Sequence, residues 1–188
     1  MAALNNLIPN SIMNPVAFTN DYHHPLEYHW NLWVFTNDKK CWEENLVCVA
    51  DFDTVENFWS LYHYIKRPSE LKPGQDYLMF KKDIQPTWDH PGNKKGGRWI
   101  INIDKKSNSL DHLWLLVLLM IGENLPHGDI ISGIVVNVRV KNKIALWLSD
   151  GSNHNKVRDI GKALKDNVIG LGKINFHLHQ SNVNMITM

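Results

Sequence analysis

The 188-residue sequence predicts one α+β domain, a curved antiparallel sheet of about eight strands backed by three helices. Three observations carry this expectation. Apolar residues make up 44% of the chain and charged residues 21%, which suits one folded domain with a sizeable core. Strand-like runs outnumber helical ones, and the helical runs are scattered singly among them. Such helices fit a layer over one face of a sheet, leaving the other face open for a ligand.

Residues 1–23, rich in Asn, Pro and Ala and without periodicity, read as a flexible N-terminal arm. The domain is expected over residues 24–181, with a short C-terminal tail at 182–188. Tyr28 to Phe35 is dense enough in aromatic and apolar residues for a strand buried on both faces; Asn37-Asp38 supplies a turn and Leu46 to Ala50 the next strand. Asp53-Thr54-Val55-Glu56 has the form of a capping box, with Asp53 accepting a helix N–H and Glu56 reaching back. Val55, Phe58, Trp59, Tyr62 and Ile65 then follow at helical spacing until Pro68. A second helix is expected from after Ser109 to a C-cap at Gly122, and a third from Ser152-Asn153 to Gly170. Further strands are expected at Tyr77 to Lys81, Arg98 to Asp104, Ile131 to Val140, Lys143 to Leu148 and Lys173 to His179. Val140-Lys141-Asn142-Lys143 reads as a tight hairpin.

The net charge of +1 argues against a grip on a long nucleic-acid backbone and for a small ligand or a few phosphates. Two cysteines, Cys41 and Cys48, are too few for a disulfide scaffold, and a reducing compartment is expected. Met1 to Asn20 lacks the marks of a signal peptide. The apolar stretch Leu113 to Ile121 falls well short of the roughly 20 residues of a membrane span and reads as a buried helix.

Of the eight tryptophans, Trp42 and Trp88 lie among turn-forming and charged neighbours. Either each folds back onto the core, or the two form flat walls for a planar ligand. A cationic aromatic ring favours such walls, because tryptophan presents the strongest cation–π face. Asp89, beside Trp88, is either a turn residue or a bidentate acceptor for the two neighbouring N–H donors on a guanine edge. Lys94-Lys95-Gly96-Gly97-Arg98, Arg139, Lys141 and Lys143 form a basic set able to hold a di- or triphosphate, although Lys94-Lys95 alone suits a solvated loop. Alternation puts Asn137 and Arg139 on one sheet face, with Lys143 close by. Trp59 is a core residue by its spacing, or an interface anchor on a helix apolar almost all round. His23-His24 and His177-Leu178-His179 recruit no further ligands of suitable spacing, so neither metal nor cofactor is expected. No catalytic constellation stands out, and an enzyme is not expected.

His24-Pro25-Leu26, Trp30-Asn31-Leu32-Trp33, Phe52-Asp53-Thr54-Val55-Glu56-Asn57-Phe58-Trp59, Gly96-Gly97-Arg98-Trp99, Ile121-Gly122-Glu123 and Val135-Val136-Asn137-Val138-Arg139 occur in this order. Together they resemble the eukaryotic translation initiation factor 4E family, over about residues 24–181. The resemblance implies a protein that binds the 7-methylguanosine cap of mRNA on the concave side of its sheet. Trp42 and Trp88 would stack on the base, Asp89 would bind its edge, Trp147 would touch the methyl group, and Arg98, Arg139 and Lys143 would face the phosphates. His24, Pro25, Val55, Trp59, Leu115 and Leu119 would receive a helical peptide of a 4G-type scaffold or of 4E-binding inhibitory proteins. A cytoplasmic monomer is implied, with the nucleus as a second compartment, working in translation initiation. The alternatives are a cap-binding competitor that represses translation and, disfavoured for want of clustered glutamates, a cap hydrolase. Three departures stand out. Asp89 replaces the usual glutamate, the helix around Trp114 to Glu123 is one residue shorter with Leu116 at a commonly polar position, and the chain ends at Met188 before most of the family's C-terminal segment.

Overall fold

The computed structural model describes residues 23–103, 110–169, 171–181 and 184–188. All but His23 of the expected arm lies outside the described residues, as do Asp104, Ser109 and Gly170. The strands are β1 (Pro25–Phe35), β2 (Leu46–Thr54), β3 (Asp76–Lys81), β4 (Gly97–Ile103), β5 (Ile131–Asn137), β6 (Asn142–Leu148), β7 (Ile174–Leu178) and β8 (Asn184–Thr187). The α-helices among the described residues are α1 (Val55–Tyr64), α2 (Leu110–Glu123) and α3 (His154–Asn167). The strands form one antiparallel sheet in the order β2-β1-β3-β5-β6-β4-β7-β8.

Strand alternation divides the apolar residues between two faces. On β1, Trp30, Leu32 and Val34 join the main core with the three helices, whereas Trp33 and Phe35 join a smaller cluster with Leu78, Phe80, Val135, Ala145 and Trp147. The aromatic density of β1 thus reflects a strand flanked by apolar groups on both sides. We call the helix-covered face convex and the other concave.

Each helix is set by its ends and its buried stripe. The expected cap of α1 at Asp53 is displaced by one residue: β2 continues through Thr54, whose hydroxyl accepts from the Asn57 N–H at 3.2 Å. Glu56 does not reach back; it accepts from the His24 backbone N–H at 3.1 Å and pairs with the His24 ring at 2.6 Å, tying the start of β1 to the helix. In α2, Leu113, Trp114, Val117, Leu118 and Ile121 are buried, so its apolar run is a core helix. Gly122 does not cap it. The helix runs on to Glu123, and the N–H groups of Asn124 and Leu125 both donate to the Met120 carbonyl. Asn153 caps α3 through the Lys156 N–H at 3.2 Å. The α3 residue Gly161 lies so close to Trp99 that a Cβ there would sit 2.4 Å from the indole, and the Trp99 Nε1–H donates to the Val157 carbonyl at 3.1 Å.

Two further expectations change. The β5–β6 hairpin is wider than a two-residue turn, because β5 ends at Asn137, which pairs with Lys143. Arg139 therefore sits in the turn, not on the strand beside Asn137. The C-terminal residues add a strand: Asn175 pairs with Thr187 and Phe176 with Ile186, and Ile174 and Met188 exchange backbone hydrogen bonds of 2.9 and 3.0 Å. Ile186 and Met188 pack against the core. Among the described residues, no helix is long and apolar enough to cross a membrane.

Candidate functional site

The concave face carries two exposed tryptophans on separate loops. Trp42 lies between β1 and β2, 46% exposed, its ring tilted against Phe35 at 5.7 Å. Its loop is held from below by the buried Asn45. The Asn45 side chain accepts from the N–H groups of Asp38 and Lys39 and donates to the carbonyls of Lys39 and Cys41 at 2.8–3.1 Å. Trp88, 60% exposed, lies between β3 and β4. Another buried asparagine does the same work here: Asn93 donates to the carbonyls of Gln85 and Thr87, both at 2.9 Å. An amide suits both places because it donates and accepts through one compact group.

Sheet order brings the loops over one floor. β3 and β4 are separated by β5 and β6, so the connection carrying Trp88 must cross the ends of those two strands. Trp147, near the end of β6 and 7% exposed, packs edge-on to Phe80 at 5.4 Å. His179 lies against its ring at 4.1 Å, and the Arg98 guanidinium is 5.9 Å from the ring centre. Gly96 permits the crossing loop to land: a Cβ there would lie 1.8 Å from the Leu148 carbonyl oxygen, and the Gly96 carbonyl accepts from the His179 N–H at 3.1 Å. Asp89 is exposed beside Trp88, and its charge acts on Glu43 in the opposing loop. The Trp42 and Trp88 loops thus each bring a carboxylate within electrostatic range of the other.

Cations gather on the other side of Trp147. Burial lowers the pKa of Arg98; burial first, and then the Arg98 charge, lower that of Lys143. Arg139 points its guanidinium at Asp76, with Nη1 and Nη2 donating to the two carboxylate oxygens at 2.6 and 2.9 Å. Asp76 is 5% exposed, and burial pushes its carboxyl up even against the guanidinium. Nη1 also donates to the Val138 carbonyl at 2.8 Å, so the guanidinium is fixed from two sides. Burial, and next the Arg98 charge, push His179 down to about 4, so it is neutral near pH 7. Its Nε2, like the Nε of Arg98, is buried without a hydrogen-bond partner.

On the convex side, Leu26, Val55, Trp59, Leu118, Leu119 and Ile121 line an apolar groove of about 170 Å³ between β1, α1 and α2. Val55 and Leu119 are 37% and 40% exposed. Trp59 packs on Phe58, Tyr62 and His63 while keeping part of its surface on the groove. Leu115 is not among the lining residues, and His24 and Pro25 are exposed at the groove's end of β1.

The family model for eukaryotic initiation factor 4E matches residues 25–187. The chain belongs to that family. It is 48% identical over 169 residues to eukaryotic translation initiation factor 4E1 of Drosophila melanogaster, covering 86% of this chain and 65% of that protein's length. Its fold matches Ascaris suum eIF4E-3 in complex with m7G cap, with a TM-score of 0.84 and 41% identity over 89% of this chain and 98% of the other. It also matches C. elegans eIF4E-3 bound to the 4E-binding protein Mextli and a cap analog, with a TM-score of 0.83 and 37% identity over 89% and 100% of the two chains.

Set against the 4E family expectations, the structure gathers Trp42, Trp88, Asp89, Trp147, Arg98, Arg139 and Lys143 around the concave face. Val55, Trp59 and Leu119 share the convex groove. Sequence reading missed Asn45, Asn93, Glu43, Asp76 and His179. Only the two asparagines left a local signal, since each follows a turn-rich segment containing an exposed tryptophan.

Proposed function

We propose that this 4E-family chain binds the 7-methylguanosine cap of mRNA and bridges it to a 4G-type scaffold in translation initiation. The observation that carries the reading is the pair of exposed tryptophans, each on a loop pinned by its own buried asparagine, above a floor of Trp147 with cations beside it. Methylation at N7 leaves the guanine positive, so two indole faces attract it by stacking and by cation–π contact, roughly 1–3 kcal/mol per face. Asp89 accepts from the guanine edge, and Glu43 adds negative potential at the mouth. Trp147 meets the methyl group. Arg98, Arg139 and Lys143 take the phosphates, and burial strengthens Arg98 and Lys143 because their charge is poorly solvated. The relatives bound to m7G cap and to a cap analog support this reading.

The chain works by recognition, with no bond made or broken, in the cytoplasm. The convex groove, away from the cap face, takes an amphipathic helical segment of the scaffold or of a 4E-binding inhibitor. Occupying both faces at once is what bridging requires, and the open groove favours bridging over a competitor that only holds the cap.

Titration with m7GTP should quench tryptophan fluorescence, and Trp42→Ala or Trp88→Ala should each weaken binding by about tenfold or more. Wild-type affinity in both folded variants would overturn the sandwich. A capped dinucleotide incubated with the protein and magnesium should be recovered intact.

A further inference from the structure

The groove between β1, α1 and α2 is apolar from rim to floor. It reaches down to the buried Trp30, Phe52 and Met79, and among the described residues that line it Asn124 alone is polar. Two carboxylates on the flanking helices are engaged elsewhere. Glu56 is tied to His24, and Asp111 accepts from the Ser69 N–H and hydroxyl at 2.8 and 2.6 Å. On α2, Leu115 and Leu116 are half-buried and Leu119 is exposed, so this wall is aliphatic. A charged occupant would lose water here without gaining a partner, whereas an uncharged apolar segment would not.

The part of the chain that leads into β1 has matching chemistry. Residues 1–20 contain no Asp, Glu, Lys or Arg, yet include Ile12-Met13-Asn14-Pro15-Val16-Ala17-Phe18, in which five of seven residues are apolar. Segments that stay in water are typically charged and poor in aromatic residues, which this one is not. Where it meets the fold is fixed. The His24 N–H donates to Glu56 and the His24 carbonyl accepts from the Val55 N–H at 2.9 Å, fastening the chain to the first turn of α1. Leu26, two residues on, already lines the groove. Phe18 stands six residues before His24, a reach of about 20 Å when extended, and Asn20-Asp21 between them are turn-forming residues. The groove's volume of about 170 Å³ suits one phenyl ring, since a cavity of roughly 150 Å³ takes up benzene.

We infer that residues 12–18 of the chain's own N-terminal arm dock in the convex groove, with Phe18 as the anchor, and compete there with the scaffold or inhibitor helix. The inference rests on the reading of this groove as the peptide site. Pro9 and Pro15 interrupt any long helix, so the arm occupies the groove as a short stretch and leaves it to a better-fitting partner. Tethering supplies an effective concentration in the millimolar range, so a contact of about millimolar affinity or somewhat tighter fills the groove most of the time. A partner then binds in proportion to the fraction of open grooves, about three- to tenfold more weakly than if the arm were absent.

The test uses the full chain as wild type, Val16→Ser/Phe18→Ser and Phe18→Leu, all of equal charge. The double variant should bind a synthetic helical peptide of a 4G-type scaffold about three- to tenfold more tightly than wild type, with m7GTP affinity within about twofold. Phe18→Leu keeps an apolar anchor and should stay within about twofold of wild type for the peptide. Without peptide, the backbone amide resonances of Val55 and Leu119 should differ between wild type and the double variant, and the difference should persist on dilution. Unchanged affinity for a peptide that binds, or unchanged resonances, would overturn the inference. A difference that fades on dilution would also overturn it, making a second copy of the chain the occupant. A peptide that binds none of the three proteins would instead overturn the scaffold reading, and the resonances would then decide whether the arm docks.

Discussion

The two faces of the sheet present aromatic surface in opposite ways. On the concave side, Trp42 and Trp88 stand exposed on loops whose backbones are fastened beneath them by hydrogen bonds from Asn45 and Asn93. On the convex side, Trp59 lies within a packed aromatic cluster, and the groove it lines is a seam between β1 and two helices. Polar anchors hold a flat ring out into water without burying it. Apolar packing leaves a furrow fit for another chain's side chains. A change on one face should therefore leave the other's ligand largely untouched.

The largest expected effect tests this separation. Trp59→Ala should cost about 2–4 kcal/mol in binding a scaffold-type helical peptide, as loss of a buried anchor does, while m7GTP affinity stays within a few fold. Calorimetry with both ligands checks it; parallel losses with a lowered melting temperature would make Trp59 a core residue for both faces. Next comes Asp89→Asn, nearly isosteric but uncharged. It should lose about 1.5–3 kcal/mol for the methylated cap, the worth of a charge-assisted hydrogen bond, whereas Asp89→Glu stays within about tenfold. Titrations with methylated and unmethylated analogues would expose a different acceptor if Asp89→Asn bound like wild type.

Removing an anchor should cost both stability and ligand. Asn93→Ala strands the carbonyls of Gln85 and Thr87, and an unsatisfied buried polar group costs about 1–3 kcal/mol. Denaturant unfolding should show that loss, and cap affinity should fall while peptide affinity holds. Peptide affinity falling equally would mean that the two faces are coupled.

The smallest effect is in pH, where the faces separate by window. His179 titrates at about 4 in the folded chain against an ordinary 6.5, so the unfolded chain binds its proton first as pH falls. Stability should fall from about pH 6.5 towards 4, by about 1 kcal/mol between pH 7 and 5.5, and His179→Gln should flatten that slope. On the convex side Glu56 is held at about 2 against an ordinary 4.5, chiefly by its hydrogen bond from His24. Its contribution is present above about 4.5 and lost as pH falls towards 2. Melting curves of wild type, His179→Gln and Glu56→Gln across this range would show whether the windows are distinct.

The fold was legible where local chemistry repeats. Periodicity marked α1 and α3, and alternation or aromatic density marked most strands. Less visible were choices settled by distant partners. Thr54 caps α1 in place of Asp53 because β2 pairs one residue further, and Glu56 turns to His24 because β1 starts beside it. Residues 182–188 read as a tail because Ile186 and Met188 are too few to show a period, although β7 supplies a ready edge. In the candidate site, the exposed tryptophans and the cations announced themselves as residues out of place in loops. Asp76 and His179 did not, since a buried carboxylate meeting Arg139 and an imidazole lying on Trp147 are products of register and chain crossing.

That crossing also sets when the site comes into being. Trp42, Trp88, Arg98, Trp147 and His179 are spread along most of the described chain, and the non-local pairings of β1 with β3, β3 with β5, β4 with β6 and β4 with β7 bring them together. Pairings between distant segments form late and slowly in folding. During synthesis, a ribosome-bound chain that has not yet exposed β7 lacks the imidazole side of the Trp147 floor, so competence to hold a ligand should appear abruptly once β7 and His179 have emerged rather than growing with chain length.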